Sequence, residues 1–338
     1  MSVLRRHYVS HTEFNTHPTI FTTSPLETPY LCCRIFLHNT LVTDRWYLPV
    51  SVAEVWRFIT HSSESNEYLV FWELRLPRTL VAIIGGASLA TAGHLMQDIV
   101  KNPLASPNLT GVMSGASLAV LFAMMFELPL PMIAWGVIGG FTGGITTLSI
   151  SWKQGVTPAR LALAGISVSA FCQAAVTYIL LSDRVDSESL FFWLTGSNAG
   201  ANWSVLWPLM MAFVPISILL VICQRQLGYL LLDDTVARSV GVAINRYRLA
   251  FGLLAVILTA ASVGAFGPVG FVGLVAPHIA RMLKGNIAIS ALIGASLLTI
   301  ADYLSRTLLS PLEIPIGVLT AAMGAPWFLY LIINRARM

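Results

Sequence analysis

Apolar residues in this chain run in long blocks, not in the narrow stripes of soluble amphipathic helices. A helix that crosses about 30 Å of hydrocarbon needs about 20 mostly apolar residues and satisfies its own backbone hydrogen bonds. Blocks of that kind extend roughly from Leu76 to Val100, Thr110 to Phe126, Leu128 to Trp152, Pro158 to Leu181 and Trp203 to Cys223. After a polar stretch come Tyr247 to Phe266, a shorter Val269 to Leu283, Ile287 to Leu308 and Ile314 to Ile333. The pattern predicts an all-α polytopic membrane protein with about nine recognisable transmembrane helices. Upstream, the most apolar piece is Tyr30 to Val42, and Arg34, His38 and Asn39 interrupt it, so it makes a poor span.

The charges fall between the blocks. Only 11% of residues are charged, against about 25% in soluble domains, too few to cover a soluble fold of this size. A net charge of +4 does not point to nucleic acid, because Lys and Arg are not clustered on one solvated face. Lys and Arg favour short cytoplasmic loops. One set of connections holds Lys101, Lys153, Arg160, Arg225, Arg238, Arg246, Arg248, Arg281, Lys284, Arg335 and Arg337; the other holds only Arg75, Arg78, Arg184 and Arg306. The first set is therefore expected on the cytoplasmic side and the stretch before Leu76 on the outer side. At the start of the chain Arg5 and Arg6 lead into His7, Tyr8, Ser10 and His11, with no apolar stretch to make a cleavable signal. Cys32, Cys33, Cys172 and Cys223 lack metal-ligand spacing.

Small residues mark where helices meet, since close backbone approach drives packing in lipid. Gly136, Gly140 and Gly144 recur every four residues on one face, and Gly85, Gly86, Ala90, Gly93, Gly294 and Ser296 extend the theme to other blocks.

Candidate chemistry is sparse. No Gly-x-x-x-x-Gly-Lys-Ser/Thr phosphate loop, Gly-x-Ser-x-Gly elbow or His-Glu-x-x-His pair occurs, and Gly264, Gly267 and Gly270 lie at a helix break instead of a strand-to-helix turn. The chain is expected to be no enzyme by itself, and neither cofactor nor resident metal is expected. Ionisable residues inside spans are costly and draw attention. Asp302 and Arg306 stand four apart and can pair; His94 and Asp98 share that spacing near a helix end where they can reach interfacial water; His278 follows Pro277 in the shortest block. A proton- or ion-coupled secondary transporter would need more mid-membrane acids than this. The polar stretch Gln224 to Arg248 contains Leu232-Asp233-Asp234-Thr235-Val236-Ala237-Arg238-Ser239-Val240-Gly241, a short helical piece with acidic residues at its start and glycine at its end. It suits either an ordinary loop or a helix that docks on a soluble partner.

Five motifs carry a resemblance: Leu74-Arg75-Leu76-Pro77-Arg78, Asn102 to Pro107, Trp193-Leu194-Thr195-Gly196-Ser197, Gly267 to His278, and Glu313 to Thr320. In order along the chain they resemble the FecCD-type permeases, the membrane subunits of ATP-binding-cassette importers for ferric siderophores, haem and vitamin B12. Trp193 to Ser197 and Gly324-Ala325-Pro326-Trp327 look most like the ferric-citrate permeases. The resemblance covers about Trp46 to Arg335, so residues 46–338 are expected to form the permease domain and residues 1–45 an atypical segment. Family members usually begin with a hydrophobic first helix, giving ten spans; Met1 to Arg45 does not look like one, which suggests a replaced span, a mis-assigned start or a defective subunit.

The resemblance also implies roles. Arg75, Arg78 and Arg306 would face the periplasm and receive acidic residues of a substrate-binding protein. Asp233, Asp234, Ala237, Arg238 and Gly241 would belong to the coupling helix that sits in a cleft of the ATPase, and Thr157, Pro158 and Ala159 to the cytoplasmic gate. The implied assembly has a second permease subunit, identical or a sister chain, two cytoplasmic ATPase copies and a periplasmic binding protein, embedded in inner-membrane lipid with no nucleic acid. Its implied work is to import an iron chelate by alternating access, with cobalamin or haem as alternative cargoes.

Overall fold

In a computed structural model the described residues are Phe58, 65–152, 157–181 and 193–335. Met1 to Arg45, Lys153, Arg184 and Arg337 lie outside them. Each of the nine apolar blocks forms a helix: α1 (Leu76–Val100), α2 (Val112–Met125), α3 (Met132–Ser151), α4 (Pro158–Leu180) and α5 (Trp203–Ile222), then, after two short helices, α8 (Ile244–Phe266), α9 (Val272–Met282), α10 (Ile287–Thr307) and α11 (Ile316–Arg335). The short ones, α6 (Gln224–Tyr229) and α7 (Asp234–Ser239), fill the polar stretch. Among the described residues six helices are long and apolar enough to cross a membrane, and α2 and α11 add shorter apolar helices. At 11 residues, α9 is half a span.

Local signals set the helix ends. Asn202 accepts from the Val205 N–H at the start of α5, and Asn286 accepts from Ala288 and Ile289 at the start of α10, satisfying donors that have no intrahelical partner. Pro158 opens α4, where its missing N–H costs nothing. Upstream of α1 a helical turn, Asn66–Leu69, passes into a π-helical turn, Val70–Arg75, so the helix runs continuously for 35 residues. Aromatic rings collect beside that turn: Trp72 stacks on Trp203 at 6.2 Å between centroids, Trp203 Nε1 donates to the Trp72 carbonyl and Trp72 Nε1 to that of Phe58. Rings with one apolar and one polar edge suit the interface between membrane and water.

Helices α1 and α8 form the centre, with 78% and 67% of their most apolar windows buried, while α5, at 22%, lies at the periphery. Glycine seams hold the centre. A Cβ at Gly86 would lie 2.3 Å from the Gly294 carbonyl oxygen, joining α1 to α10, and one at Gly93 would lie 1.8 Å from the Gly273 oxygen, joining α1 to α9. The expected stripe on α3 meets α8, with Gly136 against Gly264, Gly140 against Ala260 and Gly144 against Val256. The sequence reading passed over a second face of α3, where Gly139 and Gly143 press on the backbone of Gly115 and Gly111. The two largest buried clusters lie toward opposite ends. Val81, Leu206, Phe266, Val269, Ala301, Ile316 and Leu319 cluster at the end that carries Asp302. Ile99, Leu148, Leu161, Leu220, Leu230 and Phe251 cluster at the end that carries Lys101.

Candidate functional site

Four of the five sequence motifs converge at the Asp302 end. Gly196, Gly267 and Gly317 bring three chain segments into backbone contact: Ser197 N–H donates to the Phe266 oxygen at 2.9 Å, and a Cβ on Gly317 would lie 2.0 Å from the Thr195 oxygen. Gly267 has φ +79° and would set a Cβ 2.3 Å from the Trp193 oxygen, so only glycine fits there. The fifth motif, Asn102 to Pro107, packs elsewhere, with Pro107 against Gly273 of α9.

This convergence surrounds Asp302, which is fully buried. Its Oδ1 accepts from Arg78 Nε at 3.0 Å and from Asn198 Nδ2 at 3.0 Å, and its Oδ2 lies 3.1 Å from Arg306 Nη2. Asn198 Nδ2 also donates to the Arg78 carbonyl, tying the loop before α5 to α1. Arg78 spends its outer edge on Glu313, donating from Nη1 at 2.9 Å and Nη2 at 3.0 Å in a two-pronged pair. The side chains of Arg78 and Arg306 are 12% and 14% exposed and that of Glu313 37%. Arg75 is buried at 8%. Two guanidiniums and two carboxylates thus balance, with the inner carboxylate sealed and the outer one open. A buried carboxylate between two guanidiniums is stable only while all partners stay in place. The sequence spacing of Asp302 and Arg306 anticipated their pair; nothing in it placed Arg78 and Glu313 in the same cluster.

At the Lys101 end a second polar group fastens α1 to α9 and α10. Asp98 accepts from Arg281 Nη2 at 2.8 Å, Gln97 Oε1 accepts from Arg281 Nη1 and its Nε2 donates to the Leu274 oxygen. His94 Nδ1 lies 2.7 Å from Ser290 Oγ and its Nε2 3.5 Å from Asp98. His94 and Asp98 were expected to reach interfacial water, but each side chain is only 11% exposed and is met by protein groups instead.

Beyond this group the Gln224 to Arg248 stretch folds over the end of the bundle. Lys101 Nζ donates to the Leu232 oxygen at 2.6 Å. Helix α7 carries Asp234, Ala237 and Arg238; Ala237 is fully buried, while Val236 and Val240, one turn apart, are 48% and 66% exposed. Asp233 points outward with 85% of its side chain exposed. Gly241 ends the helix at φ +74° with open space around it, and the Val242 N–H bonds back to the Ala237 oxygen, which is how a left-handed glycine closes a helix. Ala237 therefore serves packing and the valine pair forms the open face, which the sequence reading did not single out. Thr157 and Ala159 are exposed at the start of α4, flanking Pro158, at this same end. Among the described residues no three His, Cys, Asp or Glu side chains gather as a metal site.

Comparison with known proteins gives a consistent answer. The chain is 44% identical over 280 residues to the Fe(3+) dicitrate transport system permease protein FecD of Escherichia coli K12, covering 80% of this chain and 86% of that one. It is 39% identical over 300 residues to the achromobactin transport system permease protein CbrC of Dickeya dadantii, 85% of each chain. The fold matches a solved inward-facing metal-chelate type ABC transporter with a TM-score of 0.81 at 30% identity, over 92% of this chain and 98% of the other. The model of the FecCD transport family matches residues 35–334, and the chain belongs to that family of membrane transport permeases, not enzymes.

Proposed function

We propose that the chain is the membrane-spanning subunit of an inner-membrane ATP-binding-cassette importer that moves an iron chelate, ferric citrate in particular, inward by alternating access. The observation that carries this reading is the likeness, over most of both chains, to a permease that transports Fe(3+) dicitrate. The two ends support the division of labour. Arg75, Arg78 and Arg306 serve the binding protein: guanidiniums present a rigid fork to carboxylates, and long-range attraction speeds encounter. Asp233, Asp234, Ala237, Arg238 and Gly241 form the coupling element, with Val236 and Val240 as the apolar face that enters the ATPase and Ala237 anchoring the helix. Thr157, Pro158 and Ala159 narrow the inner mouth of the path. A second permease subunit completes that path, and two ATPase copies supply the power stroke.

The test is uptake of radiolabelled iron, supplied as citrate, hydroxamate or catecholate chelates, and of labelled haem and cobalamin, in host cells with and without the gene. Selective loss of iron citrate uptake is the expected result. Selective loss of another cargo would reassign the substrate, and loss of none would defeat the importer reading for these cargoes.

A further inference from the structure

The arrangement at Asp302 poses a problem for docking, because the outward edge of Arg78 is already filled. Both Nη atoms donate to Glu313, at 2.9 and 3.0 Å, and Nε is committed to Asp302. Three of its five N–H donors are thus used, and a carboxylate from outside cannot make a two-pronged pair across the Nη edge without removing Glu313. The two partners differ in what removal costs. Asp302 is fully buried and also holds Arg306 and Asn198, so releasing it would strand charges in a poorly solvated site. Glu313 is 37% exposed and, in the bonds found for it, is held by Arg78 alone. Its backbone neighbourhood is anchored independently: Ile314 N–H donates to the Ser305 oxygen at 3.1 Å and Ser305 Oγ donates to the Ile314 oxygen at 2.5 Å. The side chain can therefore swing into water while the turn before α11 stays in place.

We infer that Glu313 is an intramolecular stand-in for the partner's carboxylate, which a glutamate or aspartate of the docking protein displaces from the Nη edge of Arg78. The inference rests on the docking reading given above and adds its exchange step. The exchange swaps one two-pronged carboxylate for another, so Arg78 is never left without a counter-charge and Asp302 keeps its partners throughout. In the unoccupied permease Glu313 quenches the charge that would otherwise attract any anion to the outer mouth. Affinity for the partner then depends on the difference between two similar ion pairs.

The experiment measures binding of the purified, chelate-loaded periplasmic binding protein of the same transport system to the complete importer in lipid nanodiscs. Glu313→Gln removes the competitor and is expected to tighten binding about fivefold, the scale of a partly exposed ion pair. Glu313→Asp keeps the charge but shortens the reach, and is expected to tighten binding by less. Arg78→Gln is expected to weaken it at least about tenfold. Glu73→Gln controls for net charge: Glu73 is exposed at the same end and makes no bond to Arg78 in the hydrogen bonds found. Equal tightening by Glu73→Gln and Glu313→Gln would reduce the effect to general potential and overturn the exchange. Weaker binding by Glu313→Gln alongside weaker binding by Arg78→Gln would keep the docking reading and overturn the exchange, making Glu313 a support for Arg78. Unchanged binding by Arg78→Gln would defeat the docking reading itself. Failure of both Glu313 variants to assemble would make the pair structural and overturn the exchange as well.

Discussion

At the Asp302 end four charged side chains neutralise one another in a nearly closed cluster, whereas at the Lys101 end a short helix lies outside the bundle with Asp233, Val236 and Val240 open to its surroundings. Under the proposed docking role the first arrangement makes recognition and folding share the same atoms, so a change there is expected to be felt by the whole molecule. The second keeps them apart: Ala237 and the Gly241 turn hold the helix, and the exposed face is free to serve a partner. Substitutions should therefore lower stability at one end and uncouple function without loss of stability at the other.

Asp302→Ala tests the closed end most severely. It removes the buried carboxylate shared by Arg78 and Arg306 and leaves Glu313 paired with Arg78 only, a change of the kind that costs about 3–5 kcal/mol. The permease is expected to vanish from membranes, read by detergent-solubilised yield and melting temperature; a normal yield would show that Arg78 and Arg306 find water. Gly93→Leu comes next, because its side chain would run into the Gly273 backbone. A loss of about 1–3 kcal/mol should appear as a lowered melting temperature with all charges intact, and an unchanged one would refute the seam between α1 and α9. At the open end, Val236→Asp combined with Val240→Asp is expected to abolish co-purification of the ATPase and chelate uptake. Stability should move by no more than about 0.5 kcal/mol, as for surface positions generally, and retained ATPase binding would remove the valine pair from the interface. Lys101→Ala should have the smallest effect. It deletes an exposed hydrogen bond to Leu232 and a loose 4.0 Å pair with Asp233, worth about 1 kcal/mol or less, seen as a slight fall in the melting temperature alone.

Much of the fold was legible because lipid imposes a simple rule. All nine apolar blocks became helices with ends near those read from the sequence, and the Gly136, Gly140 and Gly144 face found its neighbour in α8. Periodicity within one helix also gave the Asp302 and Arg306 pair. What remained hidden depended on contacts between distant segments. Arg78 and Glu313 are separated by 235 positions, and no spacing rule joins them. The motif residues Gly196, Gly267 and Gly317 could be picked out as a pattern, but only the folded chain shows that their missing side chains let three backbones meet around the ion cluster. Val236 and Val240 escaped notice for the opposite reason, since two valines in an apolar-rich chain look ordinary until their exposure is known.

The pairing of α1 with α10 has a mechanical consequence. The two helices are fastened at three heights: by Arg78 to Asp302 at one end, by the interlocked Gly86 and Gly294 backbones along the way, and by His94 to Ser290 at the other end. Arg78 and His94 lie 16 positions apart on α1, so the fastened length is about 24 Å at 1.5 Å per residue. Neither helix can slide along the other or roll about its own axis without breaking a fastening, which leaves tilting of the pair as the soft motion. A push at the arginine cluster is therefore expected to act as the swing of a stiff rod that carries Arg281 and Asp98, clasped at its far end, along with it.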